Sequence, residues 1–436
     1  MTTARQQAAS EGRRREEPDV RAMAAAAREA SRVIAALPAR TKDAVLLDMA
    51  EGIESRSLEI LAANERDCDA ARGSGLAAPK VQRLTLTRAG LAQMIAGVRQ
   101  IAAMPDPVGQ VTLNRRVPNG LEVQKVRAPL GVIAMVYEAR PGVTIDAFSL
   151  CFKAGNACIL RGGKEAEHSN AALSAIAHGA LERHGVPAEA LVNLSGTSRE
   201  ALQEMLTLET LIDLVIPRGG KELIEAVCRA SRIPTVQHFQ GVCHIFVDES
   251  ADVERAIEIC ATAKSSAPAT CNALECVLVH RNIADRFIPR MIERYRRDGV
   301  QVRATPLVQS LAPTNADVVA ATPEDYGREF LDLIVAMRMV AGVDDAIEHI
   351  ATYGSNHTDA ILTEDLGPGG AAERFTARVQ SSCVLVNAST RFNDGFQLGL
   401  GAEIGISTSR VHAYGPMGLE ELTTQRWIVR GNGQTR

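Results

Sequence analysis

The sequence lacks any apolar run long enough to cross a membrane. No uninterrupted stretch of about 18 apolar residues, the minimum for a transmembrane helix, occurs in the 436 residues. The first 30 residues also lack the apolar segment of a secretory signal, and their arginines alternate with acidic residues, which a transit peptide avoids. We therefore expect no membrane association and a cytoplasmic location.

The sequence also lacks a strong charge of one sign and any regular spacing of cysteines. A net charge of -4 argues against nucleic acid or an anionic membrane as the main partner. The nine cysteines are an odd number, and the close pair Cys271 and Cys276 has no second pair to complete a set of metal ligands. We expect reduced thiols and no metal site.

What the sequence does contain is an α/β pattern in a chain too long for one ordinary core. Apolar spacing predicts helices over residues 20–103, and Asn119-Gly120 predicts a hairpin within 111–126. From residue 131 onward, short apolar strands alternate with helices, which is typical of parallel sheets covered on both faces. The predicted strands are 132–136, 157–160, 192–194, 211–216, 244–248, 275–280, 333–340, 359–362, 382–386 and 425–429. Between the third and fourth strands, Thr197 and Glu200 have the spacing of a helix capping box.

One stretch has the composition of a catalytic loop. Residues 265–276 (SSAPATCNALEC) place Cys271 among small side chains just before an apolar strand, so that a substrate could reach the thiol. Asn272 could donate a hydrogen bond to a developing oxyanion, and the chemistry that fits is thiolate attack on an acyl carbon. The alternative is that Cys271 is a small buried apolar residue, the more common fate of a free cysteine.

Four further segments resemble the aldehyde dehydrogenase superfamily and, within it, the γ-glutamyl phosphate reductase family. They are 136–141 (VYEARP), 160–166 (LRGGKEA), 346–361 (AIEHIATYGSNHTDAI) and 387–394 (NASTRFND). The resemblance extends from about residue 20 to the C-terminus, and Cys271 stands where that family has its nucleophile.

The resemblance implies NADPH-dependent reduction of L-glutamate 5-phosphate to L-glutamate 5-semialdehyde, with release of phosphate, in proline biosynthesis. A thioester on Cys271 would be the intermediate. It also implies a homodimer or homotetramer and leaves open an association with glutamate 5-kinase. The alternatives are a reductase of the same fold for another acyl phosphate or an acyl-CoA, and a catalytically silent oligomeric partner.

The predicted architecture has three parts. A parallel-sheet cofactor-binding domain comprises residues 1–110 and 128–243, and an α/β catalytic domain comprises 244–404. A small β element formed by 111–127 and 405–436 is expected to make subunit contacts, because a long hairpin exposes unpaired strand edges.

The segment Arg161-Gly162-Gly163-Lys164 follows a predicted strand and precedes a helix, a place where phosphates bind. In the superfamily an acidic residue near position 164 holds the ribose of NAD. Two cations there favour the 2′-phosphate of NADP instead, so Arg161, Gly163 and Lys164 are candidate cofactor residues. The alternative is that both cations are ordinary solvated charges.

Three other candidate cofactor residues depend more heavily on the resemblance. Gly219 and Gly220 form a second strand-to-helix turn where the superfamily approaches the pyrophosphate, although a plain helix start is an equal alternative. Glu329 stands where the superfamily has a glutamate that holds the nicotinamide ribose.

Two arginines are candidate substrate residues. Arg140 stands near the position of the oxyanion-hole asparagine of hydrolytic aldehyde dehydrogenases, and its planar fork suits a phosphate. A structural salt bridge to Glu138 is the alternative. Arg391 is the candidate for the α-carboxylate of the glutamyl group.

The segment 237–243 (QHFQGVC) lacks the glutamate with which hydrolytic members activate water. That absence suits a thioester that must survive until it is reduced. His238 in this segment could assist proton transfer, although a core or hinge histidine fits equally well.

Overall fold

A computed structural model describes residues 19–237, 240–314 and 317–436. The expected polar N-terminal lead, up to residue 18, and His238 lie outside the described residues. The chain forms two compact units. Unit 1 comprises the described residues up to Arg218 together with Ala226–Thr235 and Thr423–Arg436, and unit 2 comprises Gly219–Glu225 and Val236–Leu422. The three-part division with its bounds stays a prediction.

Unit 1 begins with the predicted helices. Their stability comes from one buried face: in α2 the apolar residues Val45, Leu46, Met49 and Ile53, spaced by three and four, are all fully buried. Asp19 caps the first helix, and Thr87 caps the fifth by accepting from the Gly90 N–H. The helices are α1 (Val20–Ala35), α2 (Ala39–Ser55), α3 (Ser57–Gly73), α4 (Ala78–Leu84) and α5 (Arg88–Ala103).

The predicted hairpin is confirmed. Strands β1 (Val111–Arg116) and β2 (Glu122–Pro129) pair antiparallel around a turn in which Gly120 has φ +86°. The other edge of β2 pairs with β16 (Thr423–Arg430), which gives a three-stranded sheet in the order β1-β2-β16. The hairpin and the C-terminal strand therefore belong to one sheet.

A parallel sheet in the order β5-β4-β3-β6 forms the centre of unit 1. All six residues of β3 are buried, as expected for a strand covered on both faces. The strands are β3 (Val132–Tyr137), β4 (Ala157–Gly162), β5 (Leu191–Asn193) and β6 (Leu214–Arg218), and the helices after them are α6 (Val143–Lys153), α7 (Glu167–Arg183), α8 (Arg199–Met205) and α9 (Lys221–Ala230). The part of α9 up to Glu225 is assigned to unit 2.

The predicted capping box at α8 is wrong by one residue. Ser198 is the N-cap and accepts a hydrogen bond from the Ala201 N–H, whereas the Thr197 hydroxyl donates to the Leu194 carbonyl at 2.8 Å. The hydroxyl of Thr197 is used by the preceding turn, so the next residue caps the helix.

Unit 2 is built on a seven-stranded parallel sheet in the order β10-β9-β11-β8-β7-β12-β13. Its strands are β7 (Cys243–Val247), β8 (Leu274–His280), β9 (Gln301–Ala304), β10 (Val318–Ala320), β11 (Ile334–Val340), β12 (Thr358–Leu362) and β13 (Cys383–Val386). Its helices are α10 (Val253–Ser265), α11 (Ala284–Arg297), α12 (Pro306–Gln309), α13 (Val343–Tyr353) and α14 (Ala371–Arg378). The short strands β14 (Ile406–Ser407) and β15 (Gly415–Pro416) pair antiparallel.

The α/β fold class with parallel sheets is confirmed. None of the helices within the described ranges combines the length and the apolar character needed to span a membrane.

Candidate active site

Cys271 lies in a tight turn of unit 2, between the end of α10 and the start of β8. The Ala273 N–H donates to the Thr270 carbonyl at 3.0 Å, which closes the turn. The thiol is partly exposed, whereas most of the nine cysteines are buried. That the small residues before it leave the sulfur accessible, as a nucleophile requires, stays a prediction.

The side chain of Asn272 ties this turn to the segment 389–393. Its amide nitrogen donates to the Asn393 carbonyl at 3.0 Å and to the Arg391 carbonyl at 3.4 Å, and its amide oxygen accepts from the Arg391 guanidinium. Asn272 is only 5% exposed. An oxyanion-stabilising role for this side chain would therefore require it to exchange one of these bonds.

Arg391, the candidate for the substrate carboxylate, contacts the residues on either side of Cys271. Its Nη1 also donates to the Thr270 hydroxyl at 2.7 Å, so one end of the guanidinium supports the cysteine turn. Its Nε is buried and has no hydrogen-bond partner in the described part of the chain. The structure thus brings together Cys271, Asn272 and Arg391, three of the residues proposed from the sequence.

Two residues missed by sequence reasoning contact the main chain of Cys271. Gly241 lies so close that a Cβ there would overlap the Cys271 carbonyl oxygen. The Cys243 thiol donates to that same carbonyl at 3.3 Å, and burial raises its pKa, which keeps it a neutral donor. The Gly-Val-Cys sequence does not by itself indicate a contact with Cys271, and only the fold shows that this segment lies next to the cysteine turn.

A buried group of charges lies next to the cysteine turn. Lys264 at the end of α10 pairs with Glu275 at the start of β8, with Nζ and Oε2 2.8 Å apart. Burial raises the pKa of Glu275 to about 7 and lowers the pKa of Lys264, in each case against the opposing effect of its partner. Glu329, predicted to hold the nicotinamide ribose, accepts a hydrogen bond from the Gly241 main chain, and burial raises its pKa.

Among the residues that the structure describes, His244, Cys276 and His349 offer ligand atoms within 4.8 Å of one another. However, Arg338 Nη1 lies 3.3 Å from His349 Nδ1. Burial, followed by the neighbouring His244 and Arg338, lowers the pKa of His349 to about 3. The positive charge of Arg338 beside His349 disfavours a metal cation at this group. The expected absence of a metal remains a prediction.

In unit 1 the candidate anion-binding residues follow the carboxyl ends of two adjacent strands. Arg140 follows β3, and Arg161 stands near the end of β4, where Gly163 and Lys164 follow. The two turns are joined by Glu165, whose carboxylate accepts from the Ala139 N–H at 2.6 Å. The carboxyl ends of parallel strands are where α/β sheets bind ligands.

Glu165 is the residue that sequence reasoning overlooked in this region. Its carboxylate packs over Gly163, so a Cβ at this position would force the Glu165 side chain to move. Arg161 Nη2 donates to the Thr197 carbonyl at 3.1 Å, while its Nε is buried without a partner among the described atoms. Burial lowers the pKa of Arg161, and nearby Glu165 opposes that effect. Lys164 is exposed.

Gly219 and Gly220 form the turn between β6 and α9, as predicted, and both are exposed. The first turn of α9 begins there, with the Ile224 N–H donating to the Gly220 carbonyl at 3.2 Å. This geometry fits both the pyrophosphate-binding role and the plain helix start.

Comparison with known proteins identifies the family of this chain. Residues 2–310 match the family model described as "Aldehyde dehydrogenase family". The chain belongs to the aldehyde dehydrogenase family. Its relatives include proteins named gamma-glutamyl phosphate reductase. One from Anaeromyxobacter sp. is 51% identical over 431 residues, which is 99% of each chain. One from Xanthomonas campestris is 49% identical over 417 residues, 96% of this chain and 99% of the relative.

A crystal structure of gamma-glutamyl phosphate reductase from Thermotoga maritima has the same fold as this aldehyde dehydrogenase family member. It superposes with a TM-score of 0.92 at 40% identity and covers 96% of this chain and 100% of that one. The resemblance stated from the four sequence segments is thereby confirmed.

Proposed function

We propose that this chain reduces L-glutamate 5-phosphate to L-glutamate 5-semialdehyde in proline biosynthesis, with release of phosphate. The observation that carries the proposal is the partly exposed Cys271 in a turn fixed by Asn272 and Arg391, in a chain about half identical to gamma-glutamyl phosphate reductases. A cytoplasmic homodimer or homotetramer, with a contact to glutamate 5-kinase, is part of the same proposal.

The proposed reaction forms a thioester on Cys271 and then reduces it. The Cys271 thiolate attacks the acyl carbon, the bond to phosphate breaks, and a thioester remains. Phosphate is a good leaving group, so no strong acid is needed at this step. After reduction the carbon–sulfur bond breaks, which returns the thiolate and yields the aldehyde. The segment 237–243 carries no carboxylate that could activate a water molecule to hydrolyse the thioester.

Arg140 and Arg391 are the proposed substrate contacts. Arg140 would bind the phosphate through its planar fork, and Arg391 would bind the α-carboxylate through the guanidinium edge that carries the unpartnered Nε. Asn272 holds the cysteine turn. It contributes to an oxyanion site once it exchanges a bond to the segment 389–393.

Aldehyde dehydrogenases use NAD or NADP, and we propose NADPH for this chain. The buried, unpartnered Nε of Arg161 fits an anionic group at the end of β4, and the exposed Lys164 adds a second cation. Gly163, Gly219 and Gly220 would let main-chain N–H groups approach the phosphates, and Glu329 would hold the nicotinamide ribose. The bound cofactor supplies the hydride.

The reverse reaction tests the proposal, because glutamate 5-phosphate is unstable. The protein is incubated with glutamate 5-semialdehyde, NADP and phosphate, and reduced nicotinamide is followed by absorbance, with Cys271→Ala as the control. We expect phosphate-dependent reduction of NADP that the variant lacks. Reduction without phosphate would indicate a hydrolytic dehydrogenase, reduction that requires coenzyme A would indicate an acyl-CoA reductase, and cofactor binding without turnover would indicate a silent partner.

A further inference from the structure

The ion pair between Lys264 and Glu275 is buried to an unusual degree. The side chains are 0% and 1% exposed, and Nζ lies 2.8 Å from Oε2. Apolar residues of similar volume often replace a buried ion pair without loss of stability. Fold stability therefore does not by itself account for this pair, and its other contacts indicate what it does.

The second carboxylate oxygen of Glu275 faces the main chain of the segment 328–332. Oε1 accepts from the Leu331 N–H at 3.5 Å, and the Phe330 N–H also contributes to the hydrogen bonding of this carboxylate. Leu331 has φ +54°, a left-handed conformation that is unfavourable for a residue with a Cβ atom. Such strain persists only where surrounding groups hold it, and the Glu275 carboxylate is one of the groups that bond this turn.

Glu329 directly precedes this strained turn. Its carboxylate accepts a hydrogen bond from the Gly241 main chain, and Gly241 lies against the Cys271 carbonyl. The positive charge of Lys264 attracts the same Glu329 carboxylate. The Lys264–Glu275 pair thus connects the end of α10 and the start of β8 to the segment that carries Glu329.

We propose that the Lys264–Glu275 pair is a positioning device that fixes the segment 328–332 and thereby sets Glu329 for binding the nicotinamide cofactor. This inference rests on the proposed function, in which Glu329 holds the nicotinamide ribose. Lys264 neutralises and orients the Glu275 carboxylate, and Glu275 accepts from the turn. Neither side chain touches substrate or cofactor.

Two double variants separate this role from plain stability. Lys264→Met/Glu275→Leu removes both charges and the acceptor for the Leu331 N–H, whereas Lys264→Met/Glu275→Gln removes the charges but keeps a carbonyl acceptor. Lys42→Met removes another buried lysine, which pairs with Asp106 in unit 1, and serves as the control for loss of a buried cation. NADPH affinity is measured by titration calorimetry, and Cys271 reactivity is measured as the rate of alkylation by iodoacetamide.

We expect the Leu variant to bind NADPH about tenfold more weakly, the effect of losing one charge-assisted hydrogen bond. The Gln variant should return to within about threefold of wild type, and Lys42→Met should bind like wild type. Alkylation of Cys271 should change by less than about twofold in all three variants, because Asn272 and Gly241 still hold its turn. Equal affinities of the Leu and Gln variants, or parallel losses of affinity and alkylation, would overturn the inference.

Hydrogen exchange in the wild-type protein gives a second reading that does not depend on the folding of a variant. The amides of Phe330 and Leu331 should exchange slowly before NADPH is added, and rapid exchange would contradict a preformed turn. If wild-type protein binds NADPH but does not turn over glutamate 5-semialdehyde, the proposed function fails while the affinity comparison still tests the pair. If turnover is normal and the Leu variant binds NADPH normally, only the inference fails.

Discussion

At the scale of single residues, the missing side chain of Gly241 lets the main chain of Cys271, the proposed nucleophile, pack directly against it. A Cβ atom at this position would overlap the Cys271 carbonyl oxygen, which belongs to the backbone and cannot rotate away. We expect Gly241→Ala to displace the cysteine turn and to lower kcat at least about a hundredfold, since small misplacements of a reacting group have effects of this size.

The matched control for that substitution is Gly97→Ala in the interior of α5. No atom lies within 4 Å of a Cβ built at Gly97, so alanine should raise the free energy of unfolding by about 1 kcal/mol and leave kcat unchanged. Steady-state kinetics and urea unfolding of both variants are the measurements. Wild-type kcat in Gly241→Ala would show that the turn can move without consequence.

Lys164 is the residue at which cofactor preference can be tested directly. Reversing its charge in Lys164→Glu should remove a phosphate contact of the NADP 2′-position and raise the KM for NADPH about tenfold or more, with a smaller effect on the KM for NADH. Arg66→Glu, an exposed arginine on α3, is the control for the change in net charge. An unchanged ratio of the two KM values would refute the assignment of Lys164.

His349 should make stability depend on pH. Burial, then His244 and Arg338, lowers its pKa from 6.5 to about 3, so the folded protein keeps this histidine neutral. Between these two values the unfolded chain binds more protons. The stabilisation is therefore complete above pH 6.5 and is lost as the pH falls towards 3. From pH 6.5 to 5 the free energy of unfolding should fall by about 2 kcal/mol from this group.

Urea unfolding of wild type and His349→Gln at pH 5.0 and 6.5 measures that dependence. The variant should be less stable at pH 6.5, but its stability should change less between the two pH values. The exposed residue His412 provides the control, His412→Gln. A pH dependence in His349→Gln equal to that of wild type would contradict a buried neutral histidine.

At the scale of secondary structure, the sequence predicts the elements with long periodicity and misses several of the short ones. Apolar spacing of three and four predicts α1 to α3 and α5 within a few residues, because burial of one face decides helix formation there. The strands β9 and β10 have four and three residues, too few for an alternating pattern to be distinguished from a loop.

The same limit applies to the candidate site. Cys271 and Arg391 can be found from residue type and motif, because their chemistry is visible in one-dimensional sequence. Residue type alone does not single out Lys264 and Glu275, since only the three-dimensional packing of α10 on β8 shows that both are buried. The left-handed conformation of Leu331 has no sequence signal, because leucine rarely adopts it.

The sheet β1-β2-β16 exposes apolar side chains that an oligomer would cover. Trp427 and Val429 alternate on β16 and are 54% and 52% exposed, and Val111 on β1 is 51% exposed. We expect Trp427→Glu/Val429→Glu to shift the protein to a smaller oligomer or a monomer in light scattering, because buried unpaired carboxylates are unfavourable. Thr424→Glu is the control for added charge on this strand. An unchanged mass in the double variant would show that the oligomer uses another surface.

At the scale of the whole molecule, the division of the chain does not follow the order of its residues. Unit 1 takes in Thr423–Arg436, which follow nearly two hundred residues of unit 2, whose main segment is Val236–Leu422. The net charge of -4 likewise conceals local groups of opposite sign, such as Arg161 and Lys164 at the end of β4. The net charge therefore argues against nucleic acid or an anionic membrane as a partner, whereas an anion-binding site depends on which side chains the fold places together.

The pairing of β2 with β16 also has a consequence during synthesis. Arg430 bonds to Gln124 across the two strands, 306 positions earlier in the chain. At about 5 to 20 residues per second, a ribosome needs roughly 15 to 60 seconds to make the intervening residues. Throughout that interval the nascent hairpin presents an unpaired strand edge to neighbouring nascent chains on the same messenger RNA. Protection of this edge in the cell therefore depends on the rate of synthesis and on chaperones, and not only on the stability of the finished fold.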